Sequence, residues 1–65
     1  MKFVKFVEVN YDKQDEIWIN PDTITCIKEC TIHPDNPTCH IYFINNGTCQ
    51  VVGSLKNVTR ELNER

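Results

Sequence analysis

The order of apolar and polar positions divides this chain into short alternating runs and one segment with helical spacing. Cys39, Ile41 and Phe43 precede Asn45-Asn46-Gly47, and Cys49 and Val51 follow it. A period of two is that of a strand with one buried face, and Asn-Asn-Gly between two such runs is a hairpin turn. A three-residue loop with Gly47 in the left-handed region pairs Phe43 with Cys49, Ile41 with Val51 and Cys39 with Gly53. A two-residue loop centred on Asn46-Gly47 instead sets Phe43 against Gln50 and mixes polar with apolar residues on both faces. A buried face penalises such mixing, so the three-residue loop is expected. The opposite face then carries His40, Tyr42, Ile44, Thr48, Gln50 and Val52.

Past Gly53 the period lengthens. Leu55, Val58 and Leu62 stand at i, i+3 and i+7, and Ser54 supplies a hydroxyl for the unpaired N–H groups of a first helical turn. The spacing predicts a C-terminal helix over 54–63, with Glu61 and Arg65 as an i,i+4 pair. A helix of about three turns does not persist alone in water, so it must dock on the sheet.

The first half is less regular. Lys2 to Val9 reads as a strand with Phe3, Val7 and Val9 on one face and Val4 and Phe6 on the other, so neither face is clearly the wet one. Such a strand belongs in a closed or sandwiched sheet, or at a subunit interface. Asn10 to Asp15 is a polar turn. Glu16 to Ile19 resumes as a strand with Trp18 opposite Ile17 and Ile19. Asn20-Pro21-Asp22-Thr23 forms a tight turn around the fixed angle of proline. In the third strand, Ile24 to Ile32, two isoleucines three apart (Ile24, Ile27) predict a bulge near Thr25-Cys26. His33-Pro34-Asp35-Asn36-Pro37-Thr38 is a rigid polar loop. The expected fold is a single domain, 1–65, of the α+β class and mostly β. About five short antiparallel strands form a curled sheet or small open barrel, followed by one helix.

Composition narrows the function. A chain of 65 residues is near the size where stability is marginal and a staple or a partner subunit helps. The formal net charge of −2 gives no global attraction to phosphate, so nucleic acid is not the expected partner. No run approaches the roughly 18 apolar residues of a membrane span, and Glu8 interrupts the apolar start where a signal peptide would continue. A cytoplasmic location is expected, with the four cysteines as thiols.

The chemical leads are Cys26, Cys30, His33, Cys39, His40 and Cys49. Zinc needs four side chains around one ion, whereas Cys26 and Cys30, four apart on a strand, are separated by about 13 Å. The set that can be drawn together is Cys30, His33 and Cys39 around the proline loop, the candidate ligands of a zinc-stabilised module. Cys30 and Cys39 also flank that loop closely enough for a disulfide under oxidation. Otherwise Cys26, Cys39 and Cys49 are small buried hydrophobes. Adjacent Cys39 and His40 point to opposite faces and the carboxylates are scattered among turns, so neither an enzyme nor a cofactor is expected. Lys2, Lys5, Lys28, Lys56 and Arg60, with Phe6, Trp18 and Tyr42 to stack on bases, make a small-barrel nucleic-acid-binding protein the alternative.

The run Glu16-Ile17-Trp18-Ile19-Asn20-Pro21-Asp22-Thr23-Ile24-Thr25-Cys26-Ile27, with Ile41-Tyr42-Phe43-Ile44-Asn45-Asn46-Gly47 and Val51-Val52, resembles the small bacterial FlbD-type flagellar family. The likeness covers most of the chain and rests on turns and apolar positions. It implies a small non-enzymatic accessory protein and transfers no active-site residue. The strand-turn-strand-helix half is also similar to the end of a LytTR-type DNA-binding domain. The expected function is therefore a protein-interaction or oligomerisation module of bacterial or phage origin, a homo-oligomer or a binder of another protein. The expected interaction surface is Val4, Phe6, Trp18, His40, Tyr42, Ile44 and Val52.

Overall fold

The computed structural model describes residues 3–9, 14–32 and 34–63. Five strands and one helix follow in chain order: β1 (Val4–Val9), β2 (Gln14–Ile19), β3 (Ile24–Cys30), β4 (Thr38–Phe43), β5 (Thr48–Val52) and α1 (Leu55–Asn63). All pairings are antiparallel, and the strand order β2-β1-β5-β4-β3 leaves β2 and β3 as the unpaired edges of one sheet. The mostly β, α+β fold expected from the periodicity is the fold observed. Lys2, residues 10–13 of the expected polar turn, His33 and Arg65 lie outside the described residues, and the last two residues of that turn, Gln14 and Asp15, belong instead to β2, paired with Val9 and Glu8.

The connection between the edges shapes the sheet. Four strand spacings separate β2 from β3, about 19 Å if the sheet were flat. Only Asn20 and a one-turn 3-10 helix, Pro21–Thr23, join Ile19 to Ile24, and a 3-10 turn advances about 2.0 Å per residue. The sheet must therefore curl until the end of β2 approaches the start of β3, although the two do not pair. Asn20 holds this corner: its Oδ1 accepts from the Asp22 N–H at 3.0 Å and its carbonyl accepts from the Thr23 N–H at 3.1 Å and the Thr23 hydroxyl at 2.7 Å.

The bulge foreseen from Ile24 and Ile27 is present. Ile24 pairs with Phe43 but Cys26 pairs with Tyr42, so Thr25 is the extra residue, and its hydroxyl donates to the Tyr42 carbonyl at 3.2 Å. The insertion brings both isoleucines to the same side, where they pack against the core.

The hairpin loop has three residues, as expected, but sits one residue earlier. The Phe43 N–H donates to the Gly47 carbonyl and the Asn46 N–H to the Phe43 carbonyl, enclosing Ile44, Asn45 and Asn46. Asn46, not Gly47, takes the left-handed angle, at φ 69°. The Asn45 side chain selects this turn by accepting from the Gly47 N–H at 2.9 Å, and asparagine tolerates the left-handed region. The register becomes Ile41 with Cys49 and Cys39 with Val51 in place of Ile41 with Val51 and Cys39 with Gly53. A slip of two preserves the faces, so the expected core residues remain core residues.

The helix packs on one side of the sheet, here the helix face. Val58 and Leu62 join Val4, Phe6, Ile19, Cys39, Ile41 and Val51 in the buried core, while Leu55 stays at the rim. Two groups cap the helix. Ser54 Oγ accepts from the Asn57 N–H at 3.2 Å, and the Glu29 carboxylate on β3 accepts from the Leu55 N–H at 2.9 Å. Gly53 enters at φ 131°, an angle that favours glycine, and a side chain there would press on Val58, its Cβ 3.3 Å from Val58 Cγ2.

Candidate functional site

The strand pairings assign every described strand residue to a face. Val4 lies opposite Ile19 and Phe6 opposite Ile17, and Glu8 lies opposite the fully buried Val51. The even-numbered residues of β1 therefore point to the helix. This corrects the expected interaction surface: Val4 and Phe6 are core residues and present nothing to a partner. The alternation of β1 was ambiguous because both of its faces are apolar, and the neighbouring strand resolves it.

The open face carries the other expected residues. Trp18 extends from β2, His40 and Tyr42 from β4 and Val52 from the central strand β5. Trp18 is 64% exposed and Val52 42%. Ile44 is exposed too, but in the hairpin turn, where its N–H donates to the Thr23 carbonyl at 2.9 Å. By alternation, Lys5, Val7 and Val9 complete the open face on β1, and Phe3, 54% exposed, lies two residues before Lys5. Phe3, Val7 and Val9 were visible in the sequence as one side of β1, and only the pairing with β2 and β5 shows that this side is the outer one.

Two lysine–aromatic couples mark opposite ends of the face. Lys5 Nζ lies 6.0 Å from the centre of the Trp18 ring and Lys28 Nζ lies 5.8 Å from that of Tyr42. Lys5 also reaches the Glu16 carboxylate at 3.6 Å. Between these ends, the loop after β3 overhangs the sheet to form a cleft of about 540 Å³, with Val9, Val52 and Cys30 on its floor and Ile32 and Pro37 along its rim. Ile32 is 78% exposed, so it does not fill the cleft. The polar groups there include Thr38 Oγ1, which accepts from Gln50 Nε2 at 2.8 Å.

The cysteines do not assemble. Cys39 lies opposite Glu29 on the helix face and is fully buried, its thiol donating to the Gly53 carbonyl at 3.4 Å. Cys30 lies opposite Thr38 on the open face. One step of register thus separates the candidate zinc ligands Cys30 and Cys39 to opposite sides of the sheet, and the same step prevents a disulfide between them. His33, the third candidate, lies outside the described residues. All four thiols are free, and among the described residues no three His, Cys, Asp or Glu side chains converge as for a metal ion. Burial, and then the charge of Glu29, raise the Cys39 thiol above its ordinary range. Burial and then Glu8 push the Cys49 thiol up to about 11. The buried Cys39 and half-buried Cys49 thiols are thus held neutral, as packing groups.

Among the described residues no helix is long and apolar enough to cross a membrane. No family model, curated protein or solved structure matches this chain.

Proposed function

We propose that this chain is a small non-enzymatic protein-interaction module that works by presenting the open face of its sheet. The observation that carries this reading is the placement of Trp18, Val52, Phe3 and Ile32, all large, apolar and exposed, on or beside the one face that no helix covers. A cytoplasmic accessory role, as the resemblance to FlbD-type flagellar proteins suggests, belongs to the same proposal. The test is affinity capture by the wild-type chain beside Val52→Asp. The expected result is a protein retained by the first and released by the second, with unchanged far-UV circular dichroism. Retention that does not distinguish the two chains would overturn the reading.

One observation favours a second reading, binding of single-stranded nucleic acid. The exposed Trp18 and the half-buried Tyr42, at opposite ends of the open face, each have a lysine beside the ring. The net charge of −2 opposes it. A labelled single-stranded oligonucleotide that gains anisotropy at low salt and loses it with added salt would replace the first reading with this one.

A further inference from the structure

Past its bulge, the edge strand β3 carries a palindrome of thiols. Cys26-Ile27-Lys28-Glu29-Cys30 pairs without interruption with β4 from Tyr42 back to Thr38, and Cys26, Lys28 and Cys30 lie on the open face. The main-chain bonds show which backbone groups this edge presents. The Phe43 N–H donates to the Gly47 carbonyl and the Gly53 N–H to the Pro37 carbonyl, so the odd-numbered residues of β4 bond to β5. The even-numbered residues of β4 therefore bond to Cys26, Lys28 and Cys30, and the N–H and C=O groups of Ile27 and Glu29 point to the free side. Backbone groups and thiols alike are symmetric about Lys28.

Two β3 edges can pair antiparallel about a two-fold axis that passes through Lys28 normal to the sheet, which keeps both helices on one side. Ile27 of each copy then lies opposite Glu29 of the other as a hydrogen-bonded pair. Cys26 of each copy lies opposite Cys30 of the other as a non-hydrogen-bonded pair, with Cα atoms about 4.5 Å apart, inside the roughly 4.4–6.8 Å span of a disulfide. Centring the pair on Cys26 or Ile27 draws the bulge residue Thr25 into the ladder, and centring it on Glu29 opposes two carboxylates. The regular stretch thus has one symmetric register. Its cost is Lys28 opposite Lys28, which disfavours the pair while the thiols are reduced. Lys28 leans away from the edge, however, with its Nζ 5.8 Å from the centre of the Tyr42 ring on β4. Neither thiol has a partner in its own molecule: Cys26 and Cys30 are about 13 Å apart along the strand, and Cys39 and Cys49 lie on the helix face.

We propose that β3 is a redox-controlled dimerisation edge, where Cys26 of each copy forms a disulfide with Cys30 of the other. The oxidant is a small-molecule disulfide such as oxidised glutathione. The Cys26 thiolate attacks one of its sulfurs and releases a glutathione thiolate, which takes up a proton; the Cys30 thiolate of the second copy then attacks the Cys26 sulfur and releases the other. Each protein disulfide formed oxidises two thiols and reduces one oxidised glutathione to two of the reduced form. Cys26 is exposed and Cys30 half-buried, so both are within reach of the reagent.

The inference is independent of the open-face reading, because it rests on an edge. Oxidised glutathione added to the purified chain should give a species of twice 7.6 kDa on non-reducing electrophoresis, reversed by dithiothreitol, with Cys26 joined to Cys30 in the peptide map. Cys26→Ser and Cys30→Ser should each lower the cross-linked fraction at least tenfold, since every bridge needs one of each. Mixing these two variants should restore a dimer held by a single disulfide. Far-UV circular dichroism controls for folding, and Cys26→Ser, at an exposed position, decides the matter even if Cys30→Ser unfolds. Trp18→Ala, on the opposite edge strand, should leave cross-linking unchanged. No dimer on oxidation overturns the inference, as do bridges between like cysteines or through Cys39 or Cys49. Loss of cross-linking in Trp18→Ala also overturns it, places the contact on the open face and leaves the open-face reading standing.

Discussion

Which side of β1 is core is the point at which sequence and structure part most sharply, and replacing Phe6 within the strand and Phe3 just before it tests the assignment. Phe6 is 7% exposed and lies opposite Ile17 beneath the helix, whereas Phe3 is 54% exposed. A phenylalanine buries about 200 Å², which at about 25 cal/mol per Å² corresponds to about 5 kcal/mol when fully withdrawn from water. That figure is an upper bound because the unfolded chain already buries part of its surface; measured Phe→Ala costs in cores are about 3–5 kcal/mol. Phe6→Ala is therefore expected to cost about 3–4 kcal/mol. Phe3→Ala, at about half the burial and outside the strand, should cost no more than about 2 kcal/mol. A domain of this size has a total stability of roughly 3–10 kcal/mol, so Phe6→Ala sits at the edge of unfolding and Phe6→Leu provides a milder companion. The assay is urea unfolding followed by far-UV circular dichroism. A loss for Phe3→Ala equal to or greater than that for Phe6→Ala would refute the sidedness assigned to β1, and with it the open face.

Two further predictions concern the helix and its underlying thiol. Ser54→Ala removes one acceptor from the start of α1 and Glu29→Gln removes the negative charge from another; each should cost about 1 kcal/mol in urea unfolding, with the Glu29 effect shrinking in high salt, and no loss from either would show that the helix needs no cap. The Cys49 thiol, raised from 9.0 to about 11 in the fold, contributes stability that is whole below pH 9 and is lost as pH rises through about 11, because the unfolded chain ionises first. After discounting for partial exposure the loss is roughly 1–2 kcal/mol. Cys49→Ser should flatten that alkaline decline in a pH series of urea midpoints, and an unchanged slope would refute the assignment.

Much of the architecture was legible because local rules agreed with one another. Alternation marked β4 and β5, the spacing of Leu55, Val58 and Leu62 marked the helix, and the three-residue step from Ile24 to Ile27 marked a bulge that the chain makes with Thr25. The hairpin loop had the expected length, but its position depended on the Asn45 side chain claiming the Gly47 N–H, which apolar spacing does not report. The site was less legible. Trp18, His40, Tyr42 and Val52 share a face as expected, whereas Val4 and Phe6 do not, because a strand with apolar residues on both faces, and one charge on each, has its sides distinguished only by its neighbours. Cys30 and Cys39 look close along the chain, yet hairpin register sends residues one rung apart to opposite faces. Strand order was likewise not readable, since it depends on β5 returning to β1 across the whole length of the chain.

That return explains why so small a chain leaves one face bare. Pairing β5 with β1 and tying Ile19 to Ile24 through a single 3-10 turn forces the sheet to curl, and a curled sheet of five short strands encloses little more than one layer of side chains. Val58 and Leu62 close that layer from one side. Gly53 permits this closure: its φ of 131° turns the chain sharply from the central strand into α1, and its missing side chain leaves room for Val58. The helix is the last element, and it goes to the face that holds Val4, Phe6, Ile41 and Val51. Among the described residues, the opposite face has the loop after β3 beside it, and the two line a cleft with Val9 and Val52. The same topology that completes the core therefore creates both the uncovered face and the two edges of the sheet.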